Sequence, residues 1–395
     1  MECPRKDRPR ERGRSEGLAG MAGKEKAVWP PVWAAGAMSG TSFDGVDVAL
    51  LLTDGVRIEA FGDAREVAYS DADRAILREA MGAWPGEARA EVAAQVVEAA
   101  HITAMVDLPD VALLGFHGQT LAHDPEARRT HQVGDGAVLA NALGVEVIWD
   151  FRSADMGLGG QGAPLAPFYH WACARWIGAQ GPVAILNLGG VGNITWVDPS
   201  IEGPELPGAC LAFDTGPANA PIDDLMVRRG LGACDVGGAL AARGEIDLKI
   251  LEEALEAPWF DLAPPKSLDR DAFSGLADAV SGLSDADASA TLTAVSAGAV
   301  ARGLAHLSSR PRQVLVAGGG RKNATLMAMV QDALGCDVRA VEDVGLNGDA
   351  LEAQAFAYLA VRVARGLPTS APSTTGVAAP VGGGRRSKPG ARELS

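Results

Sequence analysis

The richest chemistry-bearing segment is Ser39-Gly40-Thr41-Ser42-Phe43-Asp44-Gly45, between the apolar stretches Val32–Met38 and Val46–Leu52. Glycine lets a backbone approach a ligand closely and adopt positive φ. Successive N–H groups in such a turn form an anion-binding nest, to which Thr41 and Ser42 add hydroxyl donors. Asp44 and Asp47 are oxygen ligands able to hold Mg²⁺ through water. Taken alone, the same residues also read as an ordinary hairpin turn. One lobe's length further on the pattern recurs: strand Val183–Leu188, glycine turn Gly189-Gly190-Val191-Gly192-Asn193, and returning strand Ile194–Val197.

Two carboxylates stand out. Asp214, in Asp214-Thr215-Gly216-Pro217, follows a short apolar strand at Cys210–Phe213, where it could serve as a general base, steer a metal, or simply cap an Asx-turn. Glu352 falls inside the apolar arc defined by Leu351, Ala355, Phe356, Leu359 and Val363 when about 100° is allowed per residue. A buried carboxylate there needs a partner or a metal, whereas a first-turn glutamate favoured by the helix dipole stays wet. Gly318-Gly319-Gly320 follows the strand Gln313–Ala317 and precedes Asn323. Its glycines could let adenine or ribose lie on the backbone, or form a plain strand-to-helix turn capped by Asn323.

Other chemistries are absent. No Gly-x-x-x-x-Gly-Lys-Ser/Thr occurs. Gly157, Gly159 and Gly162 match a dinucleotide fingerprint by letter, but they lie beyond the strand at Val145–Trp149 and are followed by Pro164 and Pro167. The six histidines show no zinc-ligand spacing. Cys3, Cys173, Cys210, Cys234 and Cys336 are scattered, consistent with free thiols in a reducing cytoplasm.

The elements that must position these groups are strands ending in small or polar residues, alternating with helices. Helices are predicted over 71–82, 89–106, 219–229, 247–256, 287–307 and 349–365; in the second of these Val92, Val96, Ala99 and Thr103 share a face. A buried strand at Val111–Phe116 ends at His117-Gly118-Gln119-Thr120. With 395 residues, 47% of them apolar, two packed lobes are expected. Ligands in such sheets bind beyond the carboxyl ends of strands. The formal charge is −15, although residues 1–26 and 385–395 are each net basic, so the body is more acidic still. Such a body repels nucleic acid and anionic membranes. No apolar run approaches the roughly 20 residues needed to span a bilayer. Residues 1–30 read as a disordered basic extension, with Met21 an alternative start, and the Pro/Gly/Ser/Thr-rich 369–395 as loop or disorder.

Together these segments resemble the anhydro-N-acetylmuramic acid kinase family. The resemblance rests on Gly36 to Asp47, His117-Gly118-Gln119-Thr120, Asp150-Phe151-Arg152 with Asp155, and Gly159 to Pro164. It continues through Asn187-Leu188-Gly189-Gly190 with Asn193-Ile194, Phe213 to Pro217, Gly318 to Gly320 with Asn323, and Glu352 to Ala357. It implies an α/β, two-lobed actin-like ATPase fold, with ribonuclease H-like mixed sheets flanked by helices and ATP in the interlobe cleft. The lobes would be 31–170 and 171–345, with a helix at 346–368 packing back on the first. It also implies a reaction that motif reading alone would miss. The 1,6-anhydro ring is opened by water and O6 is phosphorylated from ATP, giving N-acetylmuramic acid 6-phosphate for cell-wall recycling. A cytoplasmic homodimer is expected on the same ground.

The resemblance assigns Asp214 as general base and Glu352 as a helper near Mg²⁺, with Asp44 a second metal contact. Gly40, Thr41, Ser42, Phe43, Asp44, Gly45, Val46 and Asp47 would hold ATP phosphates, with Gly189, Gly190 and Asn193 opposite. Gly318, Gly319, Gly320 and Asn323 would face adenosine. Gln119, Thr120, Arg152 and Asp155 would contact sugar, the forked donors of Arg152 suiting a carboxylate. Two positions depart from the family's usual pattern: Phe43 replaces Leu, and Ala218 replaces Gly, which would cost about 1 kcal/mol if that backbone had positive φ. The competing readings are another actin-like sugar or small-acid kinase and a non-catalytic nucleotide-gated sugar sensor.

Overall fold

The computed structural model describes residues 29–40 and 42–390. The expected N-terminal extension through residue 28, and Thr41, lie outside the described residues. Residues 31–390 belong to one compact unit.

The first sheet contains β1 (Val32–Ser39), β2 (Gly45–Thr53), β3 (Ile58–Ala68), β4 (Leu113–Asp124), β5 (Arg129–Val133) and β6 (Val147–Trp149). The second contains β7 (Val183–Leu188), β8 (Val191–Val197), β9 (Cys210–Pro217), β10 (Gln313–Ala317) and β11 (Asp337–Ala340). The strand orders are β3-β2-β1-β4-β6 and β9-β8-β7-β10-β11. In each sheet the first three strands run antiparallel and the last two parallel to the central one. The two hairpins legible in the sequence are therefore the same corner of a duplicated ribonuclease H-like sheet.

β1 shows why its residues are small. Side chains alternate across a strand, so Ala34 and Met38 join a core shared with the helix Leu351–Ala364, and Ala35 and Ala37 a second core. A Cβ at Gly36 would sit 1.9 Å from the Ala353 carbonyl oxygen, and one at Gly115 2.2 Å from that of Phe356. These two glycines let the helix Leu351–Ala364 lie directly on β1 and β4.

Three expectations change. The wet and buried faces of the helix Ala88–Met105 are displaced by about one residue. Val92 is 47% exposed, while Ala90, Ala93, Val97, His101 and Ala104 are buried. Small alanines permit close packing, and His101 satisfies one ring nitrogen on the Val97 carbonyl at 2.7 Å. Second, β4 does not stop at Phe116 but runs on through His117–Thr120, because β5 returns to pair with it. Third, residues 369–390, predicted as loop or disorder, are packed. Thr369, Ser370, Thr374, Thr375 and Val377 are buried, and β12 (Arg385–Ser387) adds antiparallel to β6. Composition misleads there because the hydroxyls bond buried protein groups instead of water.

Candidate active site

A cavity of about 840 Å³ opens between the carboxyl ends of β1 and β7. Its wall includes Ser42, Asp47, Arg152, Asn193, Asp214, Gly318, Gly319 and Glu352, so the structure brings together predicted residues from every segment except Gln119-Thr120.

Asp214 is fixed by backbone. Its N–H donates to the Lys266 carbonyl at 2.9 Å, and its Oδ2 accepts the Leu268 N–H at 2.8 Å. Burial raises its carboxyl to about 6, with the Leu268 N–H opposing that rise. Asn187, Asn193 and Asp214 pair directly across β7, β8 and β9, and directly opposed residues share a face of the sheet. This row projects a carboxylate and two amides to one side.

In the first sheet Met38, Asp47 and Glu66 form the corresponding row. Burial raises the Asp47 carboxyl to about 7, reinforced by Glu66, Glu352, Asp349 and Asp44. Glu352, at the start of its helix, opens to the cleft rather than into the core. Loss of bulk water around it raises its carboxyl, and Arg152 counteracts that. Of the two alternatives for Glu352, its side chain follows the solvent-contacting one, yet on a wall of the cavity.

Arg152 is pinned from behind. Its Nε and one terminal nitrogen meet His117 Nε2 at 3.2 and 2.9 Å, and the other terminal nitrogen donates to the Gly162 carbonyl at 2.8 Å. His117 must therefore be neutral, with Nδ1–H on the Gly118 carbonyl at 3.0 Å. Burial, then the Arg152 charge, holds its pKa well below the usual value.

The glycines divide by role. Open space surrounds Gly40, Gly189, Gly190 and Gly319, where an added Cβ would meet nothing closer than 3.5 Å. Gly318 and Gly320 are glycine for packing, since a Cβ would come within 2.3 Å of Asn187 and 2.5 Å of Leu188 respectively. Gly45 meets the Val67 carbonyl in the same way. The turn Gly189-Gly190 is held by the N–H groups of Ala218, Asn219 and Ala220, which donate to its carbonyls.

Several predicted contacts do not reach the cavity. Phe43 and Val46 are buried in the core beside the first sheet, Phe43 with φ 59°. Asp44 is exposed outside the cavity wall. Gln119 is buried and accepts a hydrogen bond from Ser39 Oγ, while the Thr120 hydroxyl accepts from Gln132 Nε2 at 3.1 Å. Asn323 caps the helix Ala324–Leu334 by accepting the Leu326 N–H at 2.9 Å. Asp155 is 1% exposed and faces protein donors. Ala218 has φ −127°, so the expected glycine penalty does not arise.

Sequence reading missed Gln161, His170, Lys266, Arg321, Asp349 and Thr374, which also line the cavity. Arg321 immediately follows the triple glycine and was within reach of that motif. It donates to the Gly318 carbonyl at 2.9 Å and pairs with Glu342 and Asp349. Gln161 lies within the Gly159–Pro164 motif, where no role was assigned to it; His170 sits in the helix Pro167–Trp176 and Thr374 in the short helix Pro372–Thr375, while Lys266 and Asp349 come from loops. No described helix is long and apolar enough to cross a membrane.

Duplicated sheets flanking one cavity, with a glycine turn from each sheet, are the arrangement of the actin-like ATPase fold. Within it, the model of the anhydro-N-acetylmuramic acid kinase family matches residues 33–385, and the chain belongs to that family. It is 64% identical over 363 residues to the anhydro-N-acetylmuramic acid kinase of Cereibacter sphaeroides, covering 92% of this chain and 98% of that one. The protein of the same name from Roseobacter denitrificans is 60% identical over 366 residues, covering 92% and 97%. A ROK family glucokinase from Streptomyces griseus superposes with a TM-score of 0.41 at 14% identity, over 83% of this chain and 99% of that one.

Proposed function

We propose that the chain opens the 1,6-anhydro ring of anhydro-N-acetylmuramic acid with water and transfers the γ-phosphoryl group of ATP to O6. The products are N-acetylmuramic acid 6-phosphate and ADP. The observation that carries this reading is Asp214, a carboxylate with a pKa of about 6 at the wall of a cavity flanked by two open glycine turns. A base of that strength is ionised at neutral pH yet still accepts a proton usefully.

In this reading water attacks the anomeric carbon and Asp214 takes its proton. The bridging C1–O6 bond breaks, O6 attacks the γ-phosphorus, and ADP leaves. Gly40, Gly189 and Gly190 offer backbone N–H groups to phosphates, with Ser42 beside them. Gly319 is the open approach for adenosine. Arg152, held by His117 and Gly162, presents its remaining donors to the sugar's carboxylate.

Mg²⁺ fits the oxygen-rich wall. Asp47 is surrounded by Glu66, Glu352, Asp349 and Asp44, an accumulation of negative charge that a cation would relieve. Among the described residues no group of three or more His, Cys, Asp or Glu side chains is placed to hold a metal ion, so an ion here would have to take most of its shell from water and phosphate. Asp47 and Glu352 would hold it, and it would neutralise charge on the transferring phosphoryl group. A cytoplasmic homodimer is the remaining part of the proposal; ATP use and free thiols support the location.

The test is ATP consumption with the anhydro sugar beside N-acetylmuramic acid and N-acetylglucosamine. Turnover confined to the anhydro sugar is expected. Absence of turnover with it would sink the proposal.

A further inference from the structure

Asp155 does something other than contact substrate. Its Oδ1 accepts the Gly162 N–H at 2.7 Å, and its Oδ2 accepts the hydroxyls of Ser370 and Thr375 at 2.5 and 2.6 Å. A Cβ at Gly160 would lie 2.0 Å from Oδ1, so glycine there is what lets the loop close over the carboxylate. Three donors converge on one buried carboxyl group, drawn from two segments more than two hundred residues apart in the chain.

The first segment, 159–165, supplies Gln161, Ala163, Pro164 and Leu165 to the cavity wall. Gln161 is held on both sides: its N–H donates to the Thr375 carbonyl at 2.8 Å, and the His123 ring hydrogen-bonds its backbone. Its side-chain amide has no protein partner among the described residues and lies on the cavity wall. The second segment, 369–377, supplies Thr374 to the same wall. Its short helix Pro372–Thr375 packs against β9, the strand that carries Asp214. At Gly376 a Cβ would touch Pro265 at 3.4 Å, in the loop whose Leu268 N–H binds Asp214.

We infer that Asp155 is a positioning residue: it straps the C-terminal segment 369–377 to the 159–165 loop and thereby sets the substrate-side wall, with the Gln161 amide as a polar, uncharged contact for the sugar. This rests on the proposed function for the identity of the sugar, but the coupling between the two segments does not. A hydroxyl-for-methyl exchange at Thr375 removes one donor and keeps the shape. The strap therefore acts on sugar affinity and leaves the nucleotide side, which comes from the Gly189 and Gly318 turns, untouched.

The experiment uses the full chain with Thr375→Val, and Ser370→Ala as a milder second variant. Hydrogen exchange is followed in 159–165, 369–377 and 189–193, and KM is measured separately for sugar and ATP. Exchange in the first two segments should rise together while 189–193 is unchanged. The sugar KM should rise about tenfold with the ATP KM within about twofold, and Thr375→Ser should restore both. Faster exchange confined to 369–377, or both KM values moving together with a general loss of protection, would overturn the inference. Wild-type failure to turn over the anhydro sugar would strike the proposed function alone, because the exchange result stands without it.

Discussion

Asn193 stands directly across the β8–β9 ladder from Asp214, and Asn187 directly across the β7–β8 ladder from Asn193. The carboxylate thus belongs to a rigid strand row rather than to a loose turn. A base on such a row is pre-oriented, and its loss is not readily compensated by a neighbour.

Asp214→Asn keeps the Leu268 hydrogen bond and the shape but removes the proton acceptor. Turnover should fall by roughly 10²–10⁴-fold, with ATP affinity unchanged by calorimetry. Near-normal turnover would reassign the base.

The same substitution makes a stability prediction with a definite sign. The Asp214 carboxyl is raised from 3.8 to about 6 by burial, so between those values the folded state holds more protons than the unfolded one. Ionisation of Asp214 therefore costs stability above about pH 6, and that cost vanishes below about pH 4. At neutral pH the Asn variant should be more stable by about 1–3 kcal/mol, converging with wild type near pH 4. Denaturant melts at several pH values measure this, and a pH-independent difference would contradict it. The wild-type kcat/KM should also decline as pH falls through about 6.

Glycines that look alike in the sequence should behave oppositely. Gly36→Ala drives a methyl into the backbone of the helix Leu351–Ala364. It should destabilise by at least about 3 kcal/mol, or prevent folding. For Gly319→Ala the nearest atom is 3.8 Å away, so the melting temperature should hold while the ATP KM rises about tenfold. Equal melting of the two variants would refute the distinction.

Arg362 is 1% exposed and donates to Gly55 and Pro368 carbonyls at 2.9 and 2.5 Å, pairing with Glu205 at 2.9 Å. Arg362→Met leaves those carbonyls buried without a donor. Urea unfolding should show a loss of about 3 kcal/mol, with KM values for folded protein little altered because none of these partners lines the cavity.

Residue type and local spacing alone carried the two glycine hairpins, Asp214 at a strand end and the helix bearing Glu352, because each depends on contacts within a few residues. The ordered motifs carried the family. Other features depended on long-range packing. Gly318 and Gly320 are explained by β7, far away in sequence, whereas Gly319 between them is open to the cavity. Asp155 reads as a polar site residue until Ser370 and Thr375 are seen to fold back onto it. A tail rich in Pro, Gly, Ser and Thr has too few apolar side chains to announce its own burial, so only the fold reveals it. Which face of the helix Ala88–Met105 is buried was likewise decided by its neighbours, since alanines on both sides give the helical period little contrast. What the chain states locally is which groups are available; whether each meets ligand, solvent or protein is set by segments that approach only when the two sheets and the C-terminal strap are assembled.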